Sequence, residues 1–260
     1  MPIDFTSPTN RNTYALRTAD ASWKVAMRSL IDPVGLRVAD VGCGGGIYST
    51  SWLELGAESV AGIDSSPQMI EDATARADEH PTLSFCVAEA AATGLPDGTI
   101  DLVFQRALIH HLDDLRQVFE EAWRILAPGG RLMIQDRTMD DVLQPGSPQH
   151  FRGYFFELYP RLVDFEAARR PNADSIDAAV RAAGFVDVRI APVAERRRAY
   201  DRFEDLASDL KARTGRSILH ELSDPELLNL VDFIDHKIGA EGTIDEIDYW
   251  TIWTASKPAL

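Results

Sequence analysis

The chain has 260 residues, 45% of them hydrophobic and 26% charged, and its 26 Lys+Arg against 41 Asp+Glu give a formal net charge of −15. That length suits one large α/β domain with room for insertions and can bury a full core without disulfides or metals. The acidic balance disfavours a nucleic-acid substrate, which requires a basic face, and two cysteines, Cys43 and Cys86, exclude a disulfide framework and read as reduced thiols of a cytoplasmic protein.

In chain order, the first element is an amphipathic helix: Trp23, Met27, Leu30 and Ile31 recur at i, i+4, i+7, i+8. Strand candidates follow at Leu36–Val41, Ser59–Ile63, Leu83–Val87, Ile100–Gln105 and Arg131–Gln135, with helical patterns between most of them. This alternation predicts an α/β fold with a doubly wound, mostly parallel sheet. Ser66 and Pro67 start a helix that runs to about Asp78, and Asp113 can cap another that ends before Ala127-Pro128-Gly129-Gly130. Gly56 sits where the short helix after the first strand should stop. The rhythm breaks at 138–172, which holds the aromatic cluster Phe151, Tyr154, Phe155, Phe156 and Tyr159. It resumes with a helix Ser175–Ala183 and a strand Val186–Ile190. A second break at about 193–245 reads as helices, its clearest part the capping box at Ser223–Glu226. A last strand, Tyr249–Ala255, closes the pattern. The organisation expected is one domain over 1–260, with a helical N-terminal cap at 1–32 and helical cap inserts at 138–172 and 193–245.

The informative segment is Asp40-Val41-Gly42-Cys43-Gly44-Gly45-Gly46, at the carboxyl end of the first strand. Glycines there allow a tight turn and close backbone approach to a ligand, and open α/β sheets bind ligands at this end. A dinucleotide fingerprint wants a third glycine where Ile47 stands, and Asp40 repels a pyrophosphate. It attracts a ligand carrying an ammonium and a sulfonium instead: unit charges ~4 Å apart gain about 4 kcal/mol at an effective dielectric of ~20. Asp64, ending the second strand, has the spacing at which a carboxylate meets ribose hydroxyls. Glu89, after the third strand, can accept a bond from an adenine amino group.

With these residues in view, the sequence resembles the class I S-adenosylmethionine-dependent methyltransferases, in particular the small-molecule branch of ubiquinone/menaquinone-biosynthesis type. The resemblance is carried by VADVGCGGG (38–46), GIDSS (62–66), VAEA (87–90), GLPDGTIDLVF (94–104), LIHHL (108–112) and LAPGGRLMI (126–134). It implies a seven-stranded Rossmann-like sheet in the order 3-2-1-4-5-7-6, with the seventh strand antiparallel. It also implies S-adenosyl-L-methionine as cofactor. Carried over by position, Asp40 and the loop Gly42, Cys43 and Gly44 through Gly46 hold the methionine end. Asp64 and Ser65 hold the ribose, Met69 covers the adenine, Glu89 and Ala90 meet its edge, and Arg106 lines the methionine side. Tyr14 and Arg17 resemble a segment that folds over the cofactor. Glu89 departs from the family's more usual Asp.

Methyl transfer from a sulfonium is an in-line displacement, so the protein need only align the acceptor and exclude water. A general base is required only if the acceptor arrives protonated. His110 and His111, after the fourth strand, are the candidate bases, against roles in packing and solvation. Asp136 either faces the ligand or caps a turn. The aromatic cluster at 151–159 reads equally as a lid and as packing. Arg196-Arg197-Arg198 reads as a solvated run, Cys43 as a loop residue, and Trp250 and Trp253 as core. The histidine spacing predicts no metal site. Two other functions stay open: a non-catalytic S-adenosylmethionine-binding regulatory module, and an NAD-dependent oxidoreductase. The expected partner is a small-molecule acceptor, with no nucleic acid and no membrane, in a chain compatible with a homodimer. Met1 to Asn10 shows no secretory pattern, and no run reaches the ~18 apolar residues of a membrane span.

Overall fold

The computed structural model describes residues 19–77, 80–170, 172–239 and 242–259. Tyr14 and Arg17, the Met1–Asn10 segment and Asp78 lie outside them. The first elements are α1 (Ala21–Leu30), β1 (Arg37–Val41), α2 (Ile47–Glu54), β2 (Ser59–Asp64), α3 (Pro67–Ala77), β3 (Leu83–Val87) and β4 (Ile100–Arg106). A 3-10 turn, Ile109–His111, leads to α4 (Leu115–Ile125) and β5 (Leu126–Asp136). Then come α5 (Met139–Val142), α6 (Arg152–Leu158), α7 (Arg161–Ala167), α8 (Ala173–Ala182), β6 (Val186–Tyr200), α9 (Phe203–Lys211), α10 (Asp224–Ile238) and β7 (Ile244–Ser256).

The strands form one seven-stranded sheet in the order β3-β2-β1-β4-β5-β7-β6, as the resemblance implied. β1 to β5 pair in parallel, and β7 runs antiparallel to β5. The period-2 alternation that marked the strands is what builds the two layers. Ala39, Val41, Val103, Leu132, Ile134, Trp253 and Ala255 share one core with Phe119 and Ile125 of α4 and Ile176 and Val180 of α8. Val38, Leu102, Phe104, Met133 and Ile252 share the other with Trp23 and Met27 of α1 and Trp52 of α2. Trp23, Trp52 and Phe104 meet edge to face, with ring centroids 5.3 to 5.9 Å apart.

The chain divides into two compact units. One takes the described residues up to Asp136, the segment ending at Val193 and the stretch from Thr251; the other takes Arg137–Arg170 and Ala194–Trp250. The second unit has its own core, in which Phe151, Tyr154, Phe155 and Phe156 pack with Leu206, Leu210, Leu227, Leu230 and Ile234. The aromatic cluster packs in that core, as its helical spacing allowed.

Several expectations are corrected. Residues 193–200 are not helical: β6 continues to Tyr200, and β7 begins at Ile244 instead of Tyr249. The helix after the 3-10 turn is capped by Asp114, whose Oδ1 accepts from the Arg116 N–H, and not by Asp113. β5 begins at Leu126, with Gly129 at φ 79° and an irregular register against Ile100 and Leu102. Arg197 is not solvated: its side chain is 3% exposed. Trp250 and Trp253 are buried, and the capping box at Ser223 and Glu226 forms. No helix among the described residues is long and apolar enough to cross a membrane.

Candidate functional site

Because β1 to β5 are parallel, their carboxyl ends lie along one edge of the sheet, and Asp40, Asp64, Arg106 and Asp136 stand at or next to those ends. The first loop turns at once after Val41. Gly42, Gly44 and Gly46 have φ of 77°, 51° and 76°, in the left-handed region that side chains rarely adopt. Gly42 and Cys43 donate their N–H groups to the Ile63 carbonyl at 2.7 and 3.0 Å, and Gly46 donates to the Cys43 carbonyl at 3.1 Å. Gly44 donates to Asp64 Oδ2 at 2.9 Å. Four loop amides are thus engaged within the protein, so they are not a cradle for a pyrophosphate.

The five-residue glycine run divides by role. A Cβ on Gly46 would lie 2.6 Å from Phe85 Cζ, and one on Gly42 2.9 Å from Leu108 Cδ1. At those two positions a side chain would collide with the protein itself, so glycine is required there by packing. A Cβ on Gly44 or Gly45 would meet nothing within 4 Å. The space left for a ligand lies on that side.

Two carboxylates attend the loop. Asp40 is 1% exposed, and the Ser49 hydroxyl of α2 donates to its Oδ2 at 2.5 Å. Burial, with Asp64 nearby, pushes its pKa up to about 7, against the Ser49 bond and the charge of Arg106. Asp64 is held by two backbone donors, Gly44 on Oδ2 and Ser66 on Oδ1, each at 2.9 Å. Carboxylate oxygens have further lone pairs, so Asp64 keeps acceptor capacity. Sequence reasoning missed Ser49; the signal was its place on the first turns of the helix that follows the loop.

The other candidates lie on the neighbouring strand ends. Ser65 is exposed, while Met69 is buried and donates its N–H to Ser66 Oγ at 3.4 Å. Glu89 is exposed and Ala90 half-buried, in a turn closed by the Ala92 N–H on the Glu89 carbonyl. The Arg106 guanidinium lies 4.0 Å from the centre of the Tyr48 ring. Burial and the two aspartates raise the Cys43 thiol's pKa, which leaves it inert as a nucleophile.

β4 ends in an unusual backbone. Ala107 takes φ 51° and donates its N–H to the Gln135 carbonyl at 2.9 Å. The following 3-10 turn carries His110 to Asp136, at the end of β5. His110 Nδ1 lies 2.9 Å from both carboxylate oxygens, with the side chains 7% and 1% exposed. His111 is exposed, its ring centre 4.0 Å from that of His110 and tilted by 42°. The two histidines are therefore not equivalent, and Asp136 serves His110. Among the described residues there is no cluster of side chains that could hold a metal ion.

Comparison with known proteins agrees with this geometry. Residues 39–134 match the family model described as a methyltransferase domain. The chain is 35% identical over 112 residues to the 2-methyl-6-phytyl-1,4-hydroquinone methyltransferase of Synechocystis sp.; the match covers 43% of this chain and 35% of that protein. Little more than a third of that relative is spanned. Among solved structures, a protein of an antibiotic-biosynthesis pathway of Anabaena variabilis superposes with TM-score 0.71 at 20% identity, covering 92% of this chain and 98% of that one. The phosphoethanolamine N-methyltransferase 2 of Haemonchus contortus, solved with S-adenosyl-L-methionine, gives TM-score 0.62 at 19% identity over 98% of this chain and 60% of that one. The strand order, the glycine loop with its two carboxylates and the methyltransferase-domain model matched by residues 39–134 agree with the resemblance to the class I S-adenosylmethionine-dependent methyltransferases.

Proposed function

We propose that this chain transfers a methyl group from S-adenosyl-L-methionine to a small-molecule acceptor by direct in-line displacement. The observation that carries the reading is Asp40. It is a buried carboxylate beside Asp64, pushed up to about 7, on a loop whose Gly44 and Gly45 faces are open. Such a site fits a ligand that brings positive charge and disfavours an anionic dinucleotide. Bound there, S-adenosylmethionine supplies an electrophilic methyl group on its sulfonium.

The residues then take these parts. Asp40, Gly42, Cys43 and Gly44 hold the methionine end, with Arg106 beside them. Asp64 and Ser65 accept from the ribose hydroxyls, and Met69, Glu89 and Ala90 border the adenine. Tyr14 and Arg17 are assigned to the cofactor by the resemblance alone. Alignment of this kind can supply about 7–11 kcal/mol of the barrier. His110 is the base for an acceptor that arrives as O–H or N–H. Its Nδ1 lies against the Asp136 carboxylate, which orients the ring and stabilises the charge that develops as it takes the acceptor's proton. The segments 138–172 and 193–245 select the acceptor; in support, the first of them leaves the sheet at the carboxyl end of β5. The free state of Cys43 and Cys86 supports a cytoplasmic setting. The chain-wide net charge of −15 supports acceptors other than nucleic acid.

Calorimetry and turnover test the proposal. S-adenosylhomocysteine should bind more tightly than NAD(H), and Asp64→Ala should abolish most of that affinity with the fold intact. With S-adenosylmethionine and a fractionated metabolite extract, S-adenosylhomocysteine should accumulate only when an acceptor is present. Asp136→Asn should then lower kcat by about 10²–10⁴ while cofactor affinity stays unchanged. Tighter binding of NAD(H), or cofactor binding without turnover on any fraction, would overturn the catalytic reading.

A further inference from the structure

The turn that follows β4 is seated in the glycine loop. The point where a Cβ on Gly42 would stand lies 2.9 Å from Leu108 Cδ1, 3.1 Å from its Cδ2 and 3.2 Å from its Cβ. The missing side chain of Gly42 is thus a socket for Leu108, and any residue with a Cβ would fill it. The socket is held in place, because the Gly42 N–H donates to the Ile63 carbonyl at 2.7 Å.

Backbone brings Leu108 there. β4 pairs with β5 as far as Arg106 and Gln135, and the next residue, Ala107, still donates its N–H to the Gln135 carbonyl at 2.9 Å. It does so at φ 51°, a conformation that a residue with a Cβ keeps only where its surroundings impose it. Gln135 is fixed in turn: it is fully buried, and its Oε1 accepts from the Trp23 indole N–H at 2.9 Å. Beyond Leu108, Ile109 is buried in the core that also holds Val41, and the His111 N–H closes on the Leu108 carbonyl at 2.9 Å.

His110 rides on this turn. Its Nδ1 meets both oxygens of Asp136, the residue after Gln135, at 2.9 Å. A single 3-10 turn has few backbone bonds, and their geometry is poorer than in an α-helix. Its orientation therefore falls to the apolar side chains it buries, Leu108 against Gly42 and Ile109 in the core. A hydrogen bond weakens steeply with length and angle, so a turn that slips in its seat takes the imidazole off the carboxylate.

We propose that Leu108 is a positioning residue for His110: seated against Gly42, it holds the turn so that the ring lies on Asp136. This rests on the methyltransferase reading only for what His110 does; the seating itself is tested apart from it. NMR on the isotope-labelled full chain follows the His110 ring, whose signals are identified by their loss in His110→Gln. Asp136→Asn should move those signals, and Leu108→Ala should move them in the same direction. Leu108→Met, of similar volume, should restore them. Gly42→Ala fills the socket and should displace them as Leu108→Ala does, and the two substitutions together should do no more than either alone. S-adenosylhomocysteine is titrated into each variant by calorimetry, and its formation from S-adenosylmethionine with a metabolite extract is timed. Leu108→Ala should still bind S-adenosylhomocysteine while turning over roughly 10²-fold more slowly. If Leu108→Ala fails to fold, Leu108→Val carries the test, with a smaller movement in the same direction. Ring signals that stay in their wild-type positions in these variants overturn the proposal, as does an effect of Gly42→Ala that simply adds to that of Leu108→Ala. Signals that move while turnover stays unchanged overturn the role of His110 as base. Failure of the wild type to bind S-adenosylhomocysteine overturns the methyltransferase reading instead.

Discussion

Asp40→Asn in the cofactor-free protein turns the electrostatics of the glycine loop into a measurable stability. The carboxyl is pushed from 3.8 up to about 7, a rise of roughly three units, or about 4 kcal/mol. The sign follows from proton uptake. Below pH about 4 the group is protonated in both folded and unfolded chains and contributes nothing. Between about 4 and about 7 the unfolded chain ionises while the folded one holds its proton, so wild-type stability falls as pH rises. Above about 7 the loss is complete and constant. Asparagine carries no charge at any pH and can still accept from the Ser49 hydroxyl. The variant should therefore be more stable than the wild type by about 2 kcal/mol at pH 5.5 and about 4 kcal/mol at pH 8. Urea unfolding of both proteins across that range measures the difference, and titrating groups remote from Asp40 cancel. The same substitution should weaken S-adenosylhomocysteine at pH 8, because the ligand's ammonium loses its counter-charge. A stability gap that does not change with pH, or an asparagine variant less stable at pH 8, would refute the reasoning.

Three further outcomes are expected. Gly46→Ala should cost about 3 kcal/mol, combining left-handed strain with overpacking against Phe85, whereas Gly45→Ala should leave the unfolding midpoint in place and reduce cofactor affinity; comparable destabilisation by both would end the division of the loop into packing and ligand glycines. Gln105 is 1% exposed, and both its side-chain polar atoms are buried without a partner. Gln105→Met, of similar shape, should raise stability by about 1–2 kcal/mol in chemical unfolding, and a loss would mean that the amide is satisfied in solution. Asp209→Ala removes an anion from Arg197 and Arg216 and should destabilise the protein by about 3–5 kcal/mol. A loss under ~1 kcal/mol would show that the buried network is not held by charge balance.

The cofactor loop was legible because its constraints are local. Three positive-φ glycines close a turn right after a strand, and the acidic residues stand at fixed distances from it along the chain. The strands were legible for a similar reason, since Val38 and Ala39 announce opposite faces by alternation alone. Their ends were less so: Val193 to Tyr200 reads as polar and charged, yet stays extended because β7 lies beside β6 in the sheet. Arg197 looked like one of three solvated arginines until Asp209 and Glu246 arrived from elsewhere in the chain. His110 and His111 were interchangeable on paper, and the adjacency of β4 and β5 chose between them by bringing Asp136, 26 residues away, onto one ring.

What the sequence determined by itself was the class of fold and the glycine turn at the end of the first strand, because both follow from backbone conformation and short-range periodicity. The tertiary structure alone decided which charges are neutralised and which are left wanting. Asp40 beside Asp64, His110 against Asp136, and Arg197 between Asp209 and Glu246 all depend on which elements pack together. The energy of a buried charge is set by the few ångströms around it, and the contents of that sphere come from distant parts of the chain.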